Sequence, residues 1–299
     1  MPKLVECVPN FSEGRRPEVI EAIADEVRKV AGVKLLDVKP DASHNRVVVT
    51  FVGEPQAVKQ AAFNCCQKAA ELIDMEKHHG EHPRIGATDV IPFIPVKNVT
   101  MEECVALANE LAAEIADKLE IPVYLYEEAA RIPTRRALPD IRRGQYEGLK
   151  EEIAKPERKP DYGPARMHPS AGATVVGARQ FLIAYNINLD TDDVSIAKKI
   201  ANCIREAKGG FKYVRAMGIS VNVRGRDVAQ VTINMVNYQG TPLFRVFETV
   251  KNEAARYGVN VIGSEIIGLT PLQALLDVAE YYLRLDGFER TQVFEETLS

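Results

Sequence analysis

Three of the chain's five histidines, His78, His79 and His82, lie within one stretch of five residues. They open the segment His-His-Gly-Glu-His-Pro-Arg-Ile-Gly-Ala-Thr-Asp-Val-Ile-Pro-Phe-Ile-Pro-Val, which runs from His78 to Val96. An imidazole with an ordinary pKa of ~6.5 takes and returns a proton near neutrality, so such crowding points to acid–base chemistry. Three readings compete. His78 and His79 could simply close the preceding helix, where cationic side chains suit the dipole. A metal site could use His78 and His82 with Glu81 beside them. That spacing is not His-Glu-x-x-His, however, and Gly80 interrupts any helix carrying both, so no metal is expected. Alternatively, His82 is a general base, held by Pro83, flanked by Arg84 and oriented by an acid from elsewhere.

The flanking pattern places this cluster on a loop between a helix and a strand. Val58, Ala61, Ala62, Cys65, Ala69, Leu72 and Ile73 recur at helical spacing and predict an amphipathic helix over 55–76. Val90 to Val96 reads as a strand. Pro92 and Pro95 cannot donate to a ladder, so that strand should be bulged or lie at an edge.

The chain has 299 residues, 46% hydrophobic and 27% charged, with a net charge of −4. It is long enough for two small domains or one large one, and no global basic field favours nucleic acid or anionic membranes. The first residues hold no apolar leader, and nowhere do 18 or more apolar residues run together, so a cytoplasmic protein with no membrane partner is expected. Five cysteines, two of them adjacent at 65 and 66, fit neither a disulfide framework nor zinc spacing and read as reduced, mostly buried thiols.

Taken in order, a strand over 4–8 leads through a turn-rich loop to a helix over 17–31, with Pro17 in its first turn. Strands over 33–38 and 47–52 follow, then the helix over 55–76 and the strand over 90–96. A helix over 101–119 and a strand over 122–125 complete a βαββαβ order with an added αβ, the arrangement of a ferredoxin-like split unit. From 127 to 166 the chain turns arginine-rich and is punctuated by prolines. It reads either as a solvated connector or as a carboxylate-capturing segment, since the planar guanidinium fork matches carboxylates. A second half begins near Gly172, with strands over 173–176 and 180–188, a helix over 195–207, strands over 214–223 and 228–235, a helix over 243–257, a strand over 259–262 and a helix capped by Thr270-Pro271. The fold class is therefore α+β, with two ferredoxin-like βαββαβ subdomains over 1–172 and 173–299. Sheets facing across a cleft would offer a site.

Several motifs then carry a resemblance. Cys7-Val8-Pro9-Asn10-Phe11-Ser12-Glu13-Gly14, Asn45-Arg46, His79-Gly80-Glu81-His82-Pro83-Arg84-Ile85-Gly86-Ala87-Thr88-Asp89, Arg142-Arg143-Gly144, the run from Gly172 to Arg179 and the run from Ile262 to Leu272, in this order, resemble the glutamate formimidoyltransferase family. The resemblance covers nearly the whole chain, so a stand-alone transferase without the cyclodeaminase fused to the animal members is expected. It implies transfer of a formimino group from N-formimino-L-glutamate to tetrahydrofolate as co-substrate, two facing ferredoxin-like subdomains and a homodimer. The family's base falls on His82. Asp37 or Asp41 would orient it, because Lys39 and Pro40 stand where an acid is usual. Substrate and folate contacts fall on Asn10, Asn45, Arg46, Arg84, Gly163, Pro164, Gly172 and Thr174, with Arg46 and Arg84 expected on carboxylates ahead of the connector arginines, unless they are structural ion-pair residues. Met167-His168-Pro169-Ser170 departs from the family pattern within the folate segment. Formyl and formimino groups are nearly isosteric, so a formyltransferase on the same site is an alternative, as is a folate-binding protein without turnover. A metal-dependent amidohydrolase would need no folate.

Overall fold

The structure, a computed structural model, describes residues 2–80 and 83–298, and its chain divides into two units, Met1–Arg179 and Gln180–Ser299. The first unit opens with β1 (Leu4–Cys7) and β2 (Asn10–Phe11), two pieces of one strand position that both pair with β4 and β5. Then come α1 (Pro17–Arg28), β3 (Val33–Asp41), β4 (Arg46–Gly53), α2 (Pro55–Leu72), β5 (Thr88–Lys97), α3 (Met101–Leu119) and β6 (Val123–Glu127). Helical turns α4 (Leu138–Ile141) and α5 (Gln145–Glu152) precede β7 (Thr174–Ala178).

In space the sheet reads β3, β4, β1/β2, β5, β7, β6, with β5, β7 and β6 parallel and the remaining pairs antiparallel. The first four positions are the order of a ferredoxin-like split unit. Strand β7 was expected to begin the second half, but it slots between β5 and β6, so the units divide after Arg179 rather than at Gly172. Prolines 92 and 95 do not mark an edge: β5 is interior, Pro95 lies at a register shift against β1, and Pro92 falls opposite the gap between β1 and β2.

Helix chemistry follows the sequence closely. Pro17 occupies the first turn of α1, and Val19, Ile20, Ile23, Ala24 and Val27 are buried on one face. Thr100 and Glu103 form a reciprocal capping box at the start of α3. Helix α2 ends at Leu72, earlier than the expected 76, so His78 and His79 do not close it. The main core packs α1, α2 and α3 on one face of the sheet, with Val47, Val49, Phe51, Ile91 and Phe93 pointing into it. On the other face, Ile141, Leu149 and Ile153 pack against Val90, Tyr124, Tyr126 and Val175. The arginine-rich segment is therefore no solvated connector, because its apolar residues build a second, smaller core.

The second unit runs β8 (Ile183–Leu189), α6 (Val194–Ile204), β9 (Val214–Val223), β10 (Arg226–Met235), α7 (Leu243–Ala255), β11 (Val261–Ile267) and α8 (Leu272–Leu283). Its antiparallel sheet is ordered β11, β8, β10, β9, again the ferredoxin-like arrangement. Ile183, Tyr185, Ile187 and Leu189 alternate into a core under α6 and α7. Pro271 holds the N-cap of α8, and Thr270 gives no cap bond; its hydroxyl is buried without a partner, contrary to the expected cap. Among the described residues no helix is long and apolar enough to cross a membrane.

Gly86 shows how tightly the histidine loop is seated. A Cβ there would stand 2.0 Å from the carbonyl oxygen of Ala173 and 2.7 Å from that of Ala171. Gly86→Ala is expected to cost about 1–3 kcal/mol through forced backbone movement, read as a lower midpoint in urea unfolding.

Candidate functional site

The loops that carry the singled-out residues are held by a small set of polar contacts. Asn45 adopts a left-handed backbone at φ 50°, which asparagine tolerates better than most residues. Its Oδ1 accepts from the Gly14 N–H at 3.0 Å, and its Nδ2 donates to the His79 carbonyl at 2.9 Å. Its own carbonyl receives a hydrogen bond from His78 Nε2 at 3.0 Å. Because that carbonyl can only accept, Nε2 carries the proton, and Nδ1 is left to accept from Arg84 Nε at 3.3 Å. Burial holds the His78 imidazole below its ordinary pKa, and the nearby Arg84 charge adds to this. His78 is thus a buried, neutral tie with neither ring nitrogen open to a metal. Among the described residues no three histidine, cysteine, aspartate or glutamate side chains are grouped to hold an ion.

Arg84 is also committed within the fold. Its Nη1 and Nη2 donate to the two carboxylate oxygens of Glu147 at 2.9 and 2.7 Å, the fork-to-carboxylate geometry expected of a substrate but met here by α5. Glu147 is held below the usual glutamate range mainly by that bond. Gly172, at φ 73°, lies against the Ile85 carbonyl, and the buried Thr174 hydroxyl donates to the Thr88 carbonyl, so both support this loop from below. Gly163 sits apart from them, packed on Ile121 and Pro122 where α3 runs into β6, with half-buried Pro164 beside it.

The remaining candidates share one face. Since Val47, Val49 and Phe51 enter the core, Arg46, Val48, Thr50 and Val52 point to the opposite side of the sheet. Directly paired residues share a side, which places Asp41 beside Arg46, Asp37 beside Thr50 and Asn10 beside Val48 on that same face. Asp41 is occupied: it accepts from the His44 N–H at 3.0 Å and meets His44 Nδ1 at 2.8 Å. Burial raises its pKa, but the two His44 contacts and Arg46 outweigh this and hold it below the ordinary aspartate value. Asp37 makes no side-chain hydrogen bond among the described residues. His82, the proposed base, lies outside the described residues.

Arg46 makes no side-chain hydrogen bond among the described residues. Burial lowers its pKa, Asp41 and Asp89 work against that, and Arg142 adds to it. Arg142 pairs with the fully buried Asp89, which also accepts from the Ile85 N–H at 2.9 Å. Yet the Nε donors of both Arg46 and Arg142 are buried without an acceptor. Two neighbouring guanidiniums with orphaned donors suit an incoming carboxylate, since an unmet buried donor costs about 1–3 kcal/mol. Residue reasoning ranked Arg142 behind Arg46 and Arg84. Its signal was the Arg-Arg-Gly motif, and the Asp89 that holds it closes the histidine loop's own motif.

A pocket of about 410 Å³ opens beside this loop cluster, lined by Ser12, Glu13, Arg15, Asn45, Lys77 and His78 among others. Its wall depends on Glu13, buried in the Asn-Phe-Ser-Glu-Gly loop. One Glu13 oxygen accepts from the Arg15 and Arg16 N–H groups at 2.8 and 2.9 Å, and the other meets the Arg16 side chain.

Comparison with known proteins accounts for both units. Residues 4–179 match the family described as "Formiminotransferase domain, N-terminal subdomain", and residues 184–297 match "Formiminotransferase domain". A Streptococcus pyogenes protein named glutamate formimidoyltransferase is 51% identical over 299 residues, covering 100% of this chain and 99% of that one. A protein of the same name from Thermoplasma acidophilum is 49% identical, covering 99% and 97%. The chicken formimidoyltransferase-cyclodeaminase is 48% identical over 95% of this chain, but that match takes in only 53% of its own length.

Burial raises the Glu13 pKa, but its two main-chain donors and Arg16 outweigh this and hold it below 4.5. A depressed carboxyl stabilises the fold above its unfolded pKa and loses that contribution as pH falls through the folded value. Glu13→Gln should therefore cost about 1 kcal/mol at neutral pH, comparable to a lost helix cap. The gap between the two proteins in urea unfolding should close on acidification below 4.5.

Proposed function

Because the chain belongs to the formiminotransferase family, we propose that it transfers the formimino group of N-formimino-L-glutamate to N5 of tetrahydrofolate and releases L-glutamate. Likeness to glutamate formimidoyltransferases along the whole chain carries the reading. The paired guanidiniums of Arg46 and Arg142 add to it, because a glutamate-derived donor brings carboxylates that those orphaned donors would satisfy.

The chemistry assigns the remaining roles. Folate N5 attacks the formimino carbon, a C–N bond forms, and the nitrogen becomes cationic in the tetrahedral intermediate. His82 takes that proton as general base. The glutamate nitrogen takes a proton as its own C–N bond to that carbon breaks, and a base titrating near neutrality serves both steps. No covalent enzyme intermediate is required. With Asp41 engaged by His44, Asp37 is the acid left to orient His82 and to stabilise the imidazolium. Asn10, on the same face as Arg46, is placed among the substrate contacts, while Asn45, Arg84, Gly172 and Thr174 act by holding the loops in place. Gly163 and Pro164 belong to the folate-side segment.

A cytoplasmic homodimer completes the reading. Cys7, Cys65, Cys66 and Cys104 are buried free thiols, which suits a reducing compartment. Helix α8 buries only Ala274 and leaves Leu275, Tyr281, Tyr282 and Leu283 exposed, an apolar surface that a second copy would cover.

Two measurements test these assignments. Glutamate release from N-formimino-L-glutamate should require tetrahydrofolate and fall by about a hundredfold or more in His82→Ala. Release without folate would indicate a hydrolase instead, and turnover of N-formyl-L-glutamate alone would move the donor to the formyl group. In sedimentation, the native chain should run as a dimer and Leu283→Arg as a monomer; a native monomer would remove the dimer from the reading.

A further inference from the structure

Glu6 stands on β1 between Val5 and Cys7, both of which enter the core, so its side chain lies on the opposite face of the sheet. It pairs across the ladder with Val52 and Ile94, on the side that also carries Asn10, Asp37, Asp41 and Arg46. Only 8% of the residue is exposed. Buried carboxyls are normally met by donors, because desolvation without compensation is expensive. Its carboxylate makes no hydrogen bond among the described residues, and the group acting on it is the Arg179 charge. Burial pushes its pKa up to about 6, and the charge of Arg179 opposes this without removing it.

We propose that Glu6 is the specificity residue for the pterin, accepting the pyrimidine N3–H and the exocyclic 2-amino group in two parallel hydrogen bonds. Two adjacent N–H donors on a planar ring match the two oxygens of one carboxylate, as a guanidinium fork does. The ligand's donors would supply what the protein withholds and favour the ionised carboxylate. Position separates this role from recognition of the donor substrate. Along β4, the partners of Glu6 and Asn10 are Val52 and Val48, four residues or about 13 Å apart. The formimino group of the donor is joined to the nitrogen next to a glutamate carboxylate, so carboxylates held at Arg46 and Arg142 keep it at that end of the face. The pteridine carries its recognition edge on one ring and N5 on the other, which suits an anchor at Glu6 and chemistry toward Asn10 and Arg46. This assignment rests on the folate-dependent reading above.

The test pairs a residue change with a ligand change. Binding of 5-formyltetrahydrofolate, which does not turn over without glutamate, is measured by calorimetry for the native chain, Glu6→Gln and Glu6→Asp. Each is also measured with the 2-desamino analogue, and thermal unfolding is followed alongside. The native chain should lose roughly tenfold or more in affinity on removal of the amine, and Glu6→Gln should lose that much for the parent ligand yet almost nothing further for the analogue. Glu6→Asp, which keeps the carboxylate, should fall between the two. In kinetics, KM for tetrahydrofolate should rise in Glu6→Gln while KM for N-formimino-L-glutamate holds. Equal amine penalties in native and Glu6→Gln proteins overturn the assignment, as does a change confined to the donor's KM. A native chain that binds no folate removes the transferase reading and this assignment together, whereas folate binding with no coupling to Glu6 removes this assignment alone.

Discussion

The loops around the histidine segment depend on one side-chain amide. Asn45 joins the Asn-Phe-Ser-Glu-Gly loop to the histidine loop through Gly14 and His79, and its main-chain carbonyl fixes the proton of His78. Backbones must come very close for this to work. A Cβ on Gly14 would fall 2.2 Å from the Asp41 carbonyl oxygen, and one on Gly80 would fall 2.4 Å from that of His44. Both glycines are thus required by contact rather than by flexibility. The tight turn then delivers Arg46 to the start of β4, facing away from the main core.

The period of two along a strand does the rest. Apolar residues at alternate positions of β1 and β4 are drawn to α1 and α2, and this fixes the side on which their polar neighbours appear. Glu6, Asn10, Asp37, Asp41 and Arg46 come from four separate strands, yet register makes them one surface. A slip by one residue in β4 would exchange that surface with the core, so the burial of Val47, Val49 and Phe51 specifies the polar face as firmly as it specifies the fold.

Much of this was legible in the sequence. Helix α3 spans the residues expected of it, and both ferredoxin-like sheet orders match the element order read from the sequence. What was not legible depends on long-range pairing. Strand β7 has the composition of any buried parallel strand, and nothing local says that it enters the first sheet between two earlier strands. The segment from 127 to 166, whose charges outnumber its apolar residues, reads equally as a solvated connector or a carboxylate-capturing segment, and Ile141, Leu149 and Ile153 are enough to seat it on the sheet. His78 looked cationic by type, and burial between an amide carbonyl and a guanidinium made it neutral.

The arginines make the sharpest case. Arg46, Arg84 and Arg142 are indistinguishable by residue type, and each stands beside a motif, so the sequence could rank them only by resemblance. The fold separates them by what it has already given each one. Arg84 has a bidentate carboxylate and a histidine nitrogen, so its fork is spent on holding α5 to the loop. Arg142 has a buried aspartate but an unmet Nε, and Arg46 has only a carboxylate already clamped by a histidine and an unmet Nε of its own. Arg158 and Arg205 also bury an unpartnered Nε, but Arg46 and Arg142 are near enough for their charges to act on each other, which makes them a pair that an anion would satisfy. The same logic applies with opposite charge to Glu6, a buried carboxylate on that face whose oxygens accept no hydrogen bond among the described residues and which is opposed only by the nearby Arg179 charge. Unmet donors at one end of the sheet and an unmet acceptor at the other describe a ligand pair with carboxylates on one member and N–H groups on the other. An amino-acid donor and a pterin acceptor have those complementary groups.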